Sequence, residues 1–177
     1  MRTRFWANLL LAGSLASSSA ETLKLPSGKE LSYSAGSGCT NLVVPRTGKG
    51  VSKVCVPRDS TVAQDASPTA VKVVAEIPNV AIVVRDTYDS IPNGMSYCQA
   101  GQEVFLRVIA VKGKQAKETY QQKVASCRQN LELADPGLRW SGDSKTVTIH
   151  WISSPEGIGK PETRSLTIEN SGQVRQP

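Results

Sequence analysis

Short apolar runs, many of them rich in valine, recur along the chain between clusters of Gly, Pro, Asn, Asp and Ser. This pattern is typical of short strands joined by turns. The predicted strands are Thr22–Leu25, Glu30–Ser34, Asn41–Val44, Val51–Val56, Ala70–Glu76, Val80–Asp86, Glu103–Val111, Tyr120–Ser126, Leu131–Leu133, Leu138–Ser141, Thr146–Ile152 and Arg164–Glu169. We therefore expect a mostly β fold, in the form of a small antiparallel sandwich or barrel-like domain.

The two C-terminal runs alternate apolar and polar residues with the period of a half-buried strand. Trp151 lies at an apolar position of Thr146–Ile152, and Leu166 and Ile168 occupy the apolar positions of Arg164–Glu169. If the two runs pair, both apolar sets lie on the same side of the sheet. We expect a hairpin here, with Trp151 in the core.

The N-terminus has the pattern of a secretory signal peptide. Two arginines precede the apolar stretch Phe5–Ala16, and small residues fill positions 17–20. The stretch is too short to span a bilayer, which needs about 20 apolar residues; a retained anchor helix or a buried core helix is the alternative. We expect cleavage after Ala20, a periplasmic or secreted protein, and one β-rich domain over residues 21–177 without a transmembrane segment.

Four cysteines lie in the expected mature chain, and an even number in an exported protein indicates disulfides. The midpoint between Cys39 and Cys55 is residue 47, and that between Cys98 and Cys127 falls in a second turn-like stretch. Residues equidistant from a hairpin turn face each other, so we predict the bridges Cys39–Cys55 and Cys98–Cys127. No C-x-x-C spacing is present and His150 is the only histidine. We therefore expect neither a metal site nor a cofactor.

The segment Tyr120–Ser126 fits either a strand or a helix. Apolar residues recur in and after it at a helical spacing, and its glutamines and lysine are good helix formers. The symmetry of the cysteines about a turn favours a strand. A short helix near residues 116–133 is the alternative.

Basic residues surround both predicted hairpin turns. They are Arg46, Lys49, Lys53 and Arg58 at the first turn and Lys112, Lys114 and Lys117 at the second. Two basic tips suit contact with an anionic partner or polymer, whereas solvated hairpin ends that block edge pairing are the alternative. The formal net charge of +6 falls to +4 on loss of Arg2 and Arg4. That charge is too small to indicate nucleic-acid binding.

The remaining candidate site residues are acidic, imidazole or aromatic. Asp86 and Asp89 belong to a predicted polar loop, whose oxygens suit either calcium or an ordinary turn. Asp86 with Asp135 would suit glycosidic hydrolysis, although nothing in the sequence brings the two together. His150 shares its face with threonines and is expected on a solvated surface. Trp140 borders a turn and is expected at the core rim or on a binding surface.

These features favour a binding role over catalysis. The sequence has no G-x-S-x-G motif and no recognisable nucleophile, and polar loops on a rigid scaffold commonly carry recognition. We expect a non-enzymatic binding protein of the cell envelope, inhibitor- or immunity-like, whose partner is another envelope protein or polymer. The alternatives are a carboxylate-dependent hydrolase acting on an envelope polymer and a structural subunit of an envelope assembly.

Overall fold

The computed structural model describes residues 20–91 and 101–176, and within those ranges it contains twelve strands and no helix. The strands are β1 (Glu21–Lys24), β2 (Glu30–Gly36), β3 (Cys39–Pro45), β4 (Val51–Pro57), β5 (Ala70–Ile77), β6 (Ala81–Asp89), β7 (Gln102–Lys112), β8 (Gln115–Ser126), β9 (Glu132–Ser141), β10 (Thr146–Ser153), β11 (Glu162–Ile168) and β12 (Val174–Arg175). All paired strands are antiparallel. The prediction of a mostly β, antiparallel fold is confirmed. The described part of the chain contains no helix that could cross a bilayer.

The strands form three sheets, each built from four consecutive strands. The first sheet contains β1 to β4, the central sheet β5 to β8, and the third sheet β9 to β12. Each sheet is a meander, in which consecutive strands lie side by side. At the β7–β8 turn Gly113 has a φ of 59°, a left-handed conformation that glycine adopts without steric cost.

The central sheet is buried on both faces. Ile82 and Val84 of β6 pack with the first sheet, whereas Ala81 and Val83 pack with the third sheet. Successive side chains of a strand point to opposite faces, so an uninterrupted apolar run allows β6 to contact both neighbouring sheets. The result is a sandwich-like stack of three sheets with two apolar layers between them.

Strand β7 is buried in the same way. Val104 and Leu106 pack toward the third sheet, and Ile109 and Val111 pack toward the first. Arg107 interrupts this apolar run and is nevertheless fully buried. A cation at that position requires polar partners, which the strand alone does not supply.

The predicted C-terminal hairpin is confirmed. β10 pairs with β11 so that Val147 lies opposite Leu166, and both side chains are buried. Trp151 is 2% exposed, and its indole N–H donates to the backbone carbonyl of Val124 at 2.7 Å. This hydrogen bond attaches the third sheet to the last strand of the central sheet.

Three strands, β8, β9 and β12, decide between the predicted alternatives or differ from the predicted bounds. Tyr120–Ser126 is part of the longer strand β8, so the strand is confirmed and the helix near residues 116–133 is wrong. Leu131–Leu133 and Leu138–Ser141 were predicted as separate strands but belong mainly to one, β9. The residues between Leu133 and Leu138 form a bulge opposite β10, which is why they resemble a turn. The two-residue strand β12 was not predicted.

The Cys39–Cys55 disulfide is present, with Cα atoms 5.6 Å apart, and confirms the first predicted bridge. The predicted register was wrong by two residues, because Asn41 pairs with Cys55 and Cys39 pairs with Pro57. The bridge therefore runs diagonally between β3 and β4. The second predicted bridge includes Cys98, which lies outside the described residues, as does the predicted signal peptide before Ala20.

Candidate anion-binding groove

The ends of two hairpins meet at one end of the stack. The buried Ser52 of β4 donates its hydroxyl to the carbonyl of Lys114 in the β7–β8 turn at 2.8 Å. The same hydroxyl accepts a hydrogen bond from Nε of Arg46 at 3.0 Å. The β3–β4 and β7–β8 turns, which are far apart in sequence, are thereby held together by side-chain contacts.

A shallow groove runs between these two hairpins. It is lined by Arg46, Ser52, Lys53, Lys114, Gln115, Ala116 and Lys117, and we call this set the basic groove. Four of the seven side chains are cationic and none is acidic. The structure thus brings together four residues predicted separately at the two tips, Arg46, Lys53, Lys114 and Lys117.

The cations of the basic groove make no ion pair within the described residues. The ion pairs in that part of the chain use Arg107, Lys123 and Arg164 instead. Arg46 is fixed through Nε alone, so the two terminal nitrogens of its guanidinium remain available as donors. A guanidinium fork with free donors suits a carboxylate or phosphate group.

The other predicted basic residues lie elsewhere. Lys49 is exposed in the β3–β4 turn and Lys112 is exposed at the end of β7, near the basic groove but not in its lining. Arg58, which was predicted at the first tip, follows β4 at its opposite end and is buried. Its guanidinium donates to backbone carbonyls of the neighbouring segments, including that of Gly36 at 2.7 Å. Arg58 is therefore a structural residue.

The prediction of a polar loop that begins at Asp86 was wrong, because β6 continues to Asp89. Asp86 and Tyr88 are buried in β6, and Asp86 accepts from Nε of Arg107 at 2.8 Å and from the Tyr88 hydroxyl at 2.6 Å. Burial raises the pKa of the Asp86 carboxyl above its ordinary value, against the opposing effect of Arg107. Asp86 is unavailable to a ligand. Asp89, at the end of β6, is exposed.

Arg107 connects the central sheet to the first sheet through hydrogen bonds. Beside Asp86 it also donates to Glu118 of β8 at 2.8 Å and to the carbonyl of Pro57 in β4 at 3.0 Å. Its side chain is 0% exposed. Sequence reasoning missed this group, although a single arginine inside the apolar run of β7 was a signal, since a buried cation needs a buried carboxylate.

A second cluster of charged side chains, centred on Lys123, holds the β4–β5 connection against the central sheet. Lys123 lies 2.6 Å from Asp59 and 3.1 Å from Glu103, and it donates to the hydroxyl of Thr61 at 2.8 Å. Burial opposes ionisation of Glu103, but hydrogen bonds from Ser126 and other groups together with Lys123 hold the pKa of Glu103 below its ordinary value. Every charge in this group has a partner, as a stable buried network requires.

The candidate catalytic residues are not brought together. Asp86 faces the first sheet, because its partner Tyr88 hydrogen-bonds Thr40 of β3 at 2.6 Å. Asp135 lies in β9, a strand of the third sheet on the opposite side of the central sheet. His150 of β10 is hydrogen-bonded to Thr163 at 3.0 Å. The described residues contain no group of three His, Cys, Asp or Glu that suits a metal ion.

Trp140 is partly buried and packs at the edge of the core between the central and third sheets. Its sequence context allows this rim position or a binding surface. It lies in β9, outside the basic groove. Of the candidate residues, only those of the two hairpin ends therefore converge on one surface.

No protein-family model matches this chain, and neither a curated protein nor a solved structure matches it. The functional interpretation therefore depends on the geometry of the basic groove.

Proposed function

We propose that this chain is an exported, non-enzymatic binding protein of the cell envelope that holds an anionic partner in the basic groove. The observation that supports this is the convergence of Arg46, Lys53 and Lys114, together with Lys117, without an ion pair to any of them in residues 20–91 and 101–176. Such a cluster attracts anions over a Debye length of about 8 Å at physiological ionic strength and accelerates their association.

An inhibitor- or immunity-like role is the form of binding that we favour. Ser52 links Arg46 to the opposite hairpin before any ligand arrives, so little conformational entropy is lost when a partner binds. A groove of this kind suits an acidic surface of an envelope protein. A subunit of an envelope assembly is the second form, and the free edge of β4 described below supports it.

The proposal includes the compartment and the second disulfide. Removal of residues 1–20 would place Glu21 at the mature N-terminus, in the periplasm or outside the cell. N-terminal sequencing of the protein recovered from its native host tests the cleavage, and a retained Met1 would contradict it. Non-reducing peptide mapping tests the Cys98–Cys127 bridge.

The binding site is tested by charge reversal with a matched control. The oxidised protein is titrated with fluorescent poly-L-glutamate, and the variant Lys53→Glu/Lys114→Glu is compared with Lys72→Glu/Lys160→Glu. The control pair is also exposed but lies outside the basic groove. We expect the groove variant to bind at least about tenfold more weakly, a loss of roughly 1.4 kcal/mol, and the control to change less than about twofold. Equal losses in both variants would contradict a localised site.

A further inference from the structure

The β3–β4 ladder shows which backbone groups of β4 point outward. The amide of Arg46 donates to the carbonyl of Gly50 at 3.0 Å, and the amide of Arg58 donates to the carbonyl of Gly38 at 3.4 Å. Hydrogen-bonded pairs recur at every second residue of an antiparallel ladder. The even-numbered residues of β4 therefore bond to β3, and its odd-numbered residues direct their N–H and C=O groups away from β3.

The outward residues of β4 are Val51, Lys53 and Cys55. Their backbone N–H and C=O groups make no hydrogen bond within the described ranges, because β4 is the last strand of the first sheet. Beyond them Pro57 has no N–H, and its carbonyl already accepts from Arg107 at 3.0 Å. The edge from Val51 to Cys55 is thus an open template for one further strand.

This open edge borders the basic groove. Lys53 belongs to both, and the opposite side of the groove is formed by Lys114 of the β7–β8 turn and Lys117 of β8. A strand added to β4 would lie about 4.8 Å from it, which places that strand along the groove. Its backbone would meet the free groups of β4 while its side chains met the cations.

We propose that the occupant of the basic groove is an extended acidic segment of a partner protein, which pairs with β4 as a fifth strand of the first sheet. This inference rests on the proposed function and specifies the chemistry of the partner. Backbone hydrogen bonds to Val51, Lys53 and Cys55 supply affinity, and contacts between carboxylates and the lysines supply selectivity, as in other cases of strand addition.

The charge of the edge determines which strand it accepts. A lysine on an edge strand ordinarily prevents pairing with other chains, and Lys53 has this effect on neutral and basic strands. Antiparallel pairing of β4 with β4 of a second copy would bring two sets of groove cations together, which is repulsive. An acidic strand neutralises Lys53, Lys114 and Lys117, so the groove favours a different, acidic protein over self-association.

The test uses the oxidised full chain and a capped peptide of alternating valine and glutamate, about seven residues long to cover the edge at roughly 3.4 Å per residue. Hydrogen exchange measured by NMR reports the amides of β4 individually. We expect peptide binding to slow exchange at Val51, Lys53 and Cys55 at least about tenfold. The amides of Ser52 and Val54, which already bond to β3, should change little.

Two substitutions at one position separate charge from backbone pairing. Lys53→Ala removes the ammonium and keeps the outward N–H, whereas Lys53→Pro removes both without breaking a bond to β3. We expect the proline variant to bind the peptide at least about tenfold more weakly than the alanine variant, with similar circular dichroism and thermal unfolding for both. A third readout is the same peptide N-methylated at its central amides, which keeps every charge and should lose binding.

Each failure has a distinct meaning. If the methylated peptide binds as well as its parent and no amide of β4 is protected, strand addition is overturned while anion binding in the groove stands. If neither the peptide nor poly-L-glutamate binds the wild-type protein, both the strand addition and the proposed function are overturned.

Discussion

Replacing Arg107 with methionine should strongly destabilise the fold, because the substitution leaves Asp86 charged and buried without a counterion. The two side chains of that ion pair are 0% and 2% exposed, and the atoms are 2.8 Å apart. Breaking a buried pair by removing one partner costs about 3–5 kcal/mol. The free energy of unfolding of an ordinary domain is about 5–15 kcal/mol. Arg107→Met should therefore remove a large share of it.

The assay is urea unfolding at pH about 7, with Asp86→Asn and the double variant Arg107→Met/Asp86→Asn completing a cycle. In the double variant no charge is stranded at position 86, and an asparagine can still accept from Tyr88. We expect it to recover at least about 2 kcal/mol relative to Arg107→Met, since neutral replacements of buried pairs are often well tolerated. A loss below about 1 kcal/mol in Arg107→Met would refute the reasoning.

The pH dependence of Arg107→Met gives a second check with a definite sign. Burial already raises the pKa of folded Asp86, and loss of Arg107 removes an opposing contact and should raise it further. A group whose folded pKa lies above its unfolded pKa destabilises the fold at high pH and less so as the pH falls. The free energy of unfolding of Arg107→Met is expected to be lower than that of the wild type at pH about 7. This difference should therefore shrink as the pH falls to about 4.5. A deficit that grows over this range would contradict the assignment.

Two further predictions concern the other buried polar contacts. Trp151→Phe removes the indole donor to the carbonyl of Val124 and should cost about 2 kcal/mol in urea unfolding, whereas Trp140→Phe, at the rim of the core, should cost less than about 1 kcal/mol; equal costs would contradict the role of the bond between sheets. Glu103 has a lowered pKa in the fold, so its contribution to stability is present above the unfolded pKa and is lost as the pH falls through the folded value. Glu103→Gln should lower the free energy of unfolding at pH about 7 and reduce the further loss of that free energy below pH about 4.5. An unchanged dependence on acid pH would count against the lowered pKa.

The parts of the fold that sequence reasoning predicted are those set by local patterns. Alternation of apolar residues identified the hairpin of β10 and β11, and the cysteine spacing identified the Cys39–Cys55 bridge to within two residues of register. Turn residues placed basic side chains at the two tips. Each of these features depends on residues close together in the chain, so a single sequence contains the necessary information.

The stacking of the sheets depends on contacts between residues far apart in the chain. The uninterrupted apolar runs Ala81–Val84 and Val104–Leu106 are typical of strands buried on both faces, but they do not indicate which sheets cover them. The same limit applies to Asp86, whose partner Arg107 is reached only when β6 and β7 pair. Its flanking Asp, Ser, Asn and Pro residues are common in turns, and this local signal was misleading.

The basic groove follows from the strand order that the first and central sheets share. Both are meanders of four strands, and the first turn of the first sheet meets the first strand of the central sheet where Ser27 hydrogen-bonds Glu76 of β5 at 2.7 Å. Their last hairpins meet at the opposite edge through Ser52 and Lys114. Because the two sheets lie in the same order, their last strands β4 and β8 lie at sheet edges on the same side of the stack. Arg46, Lys53, Lys114 and Lys117 are thereby placed on one surface, and a strand that pairs with β4 meets Lys114 and Lys117.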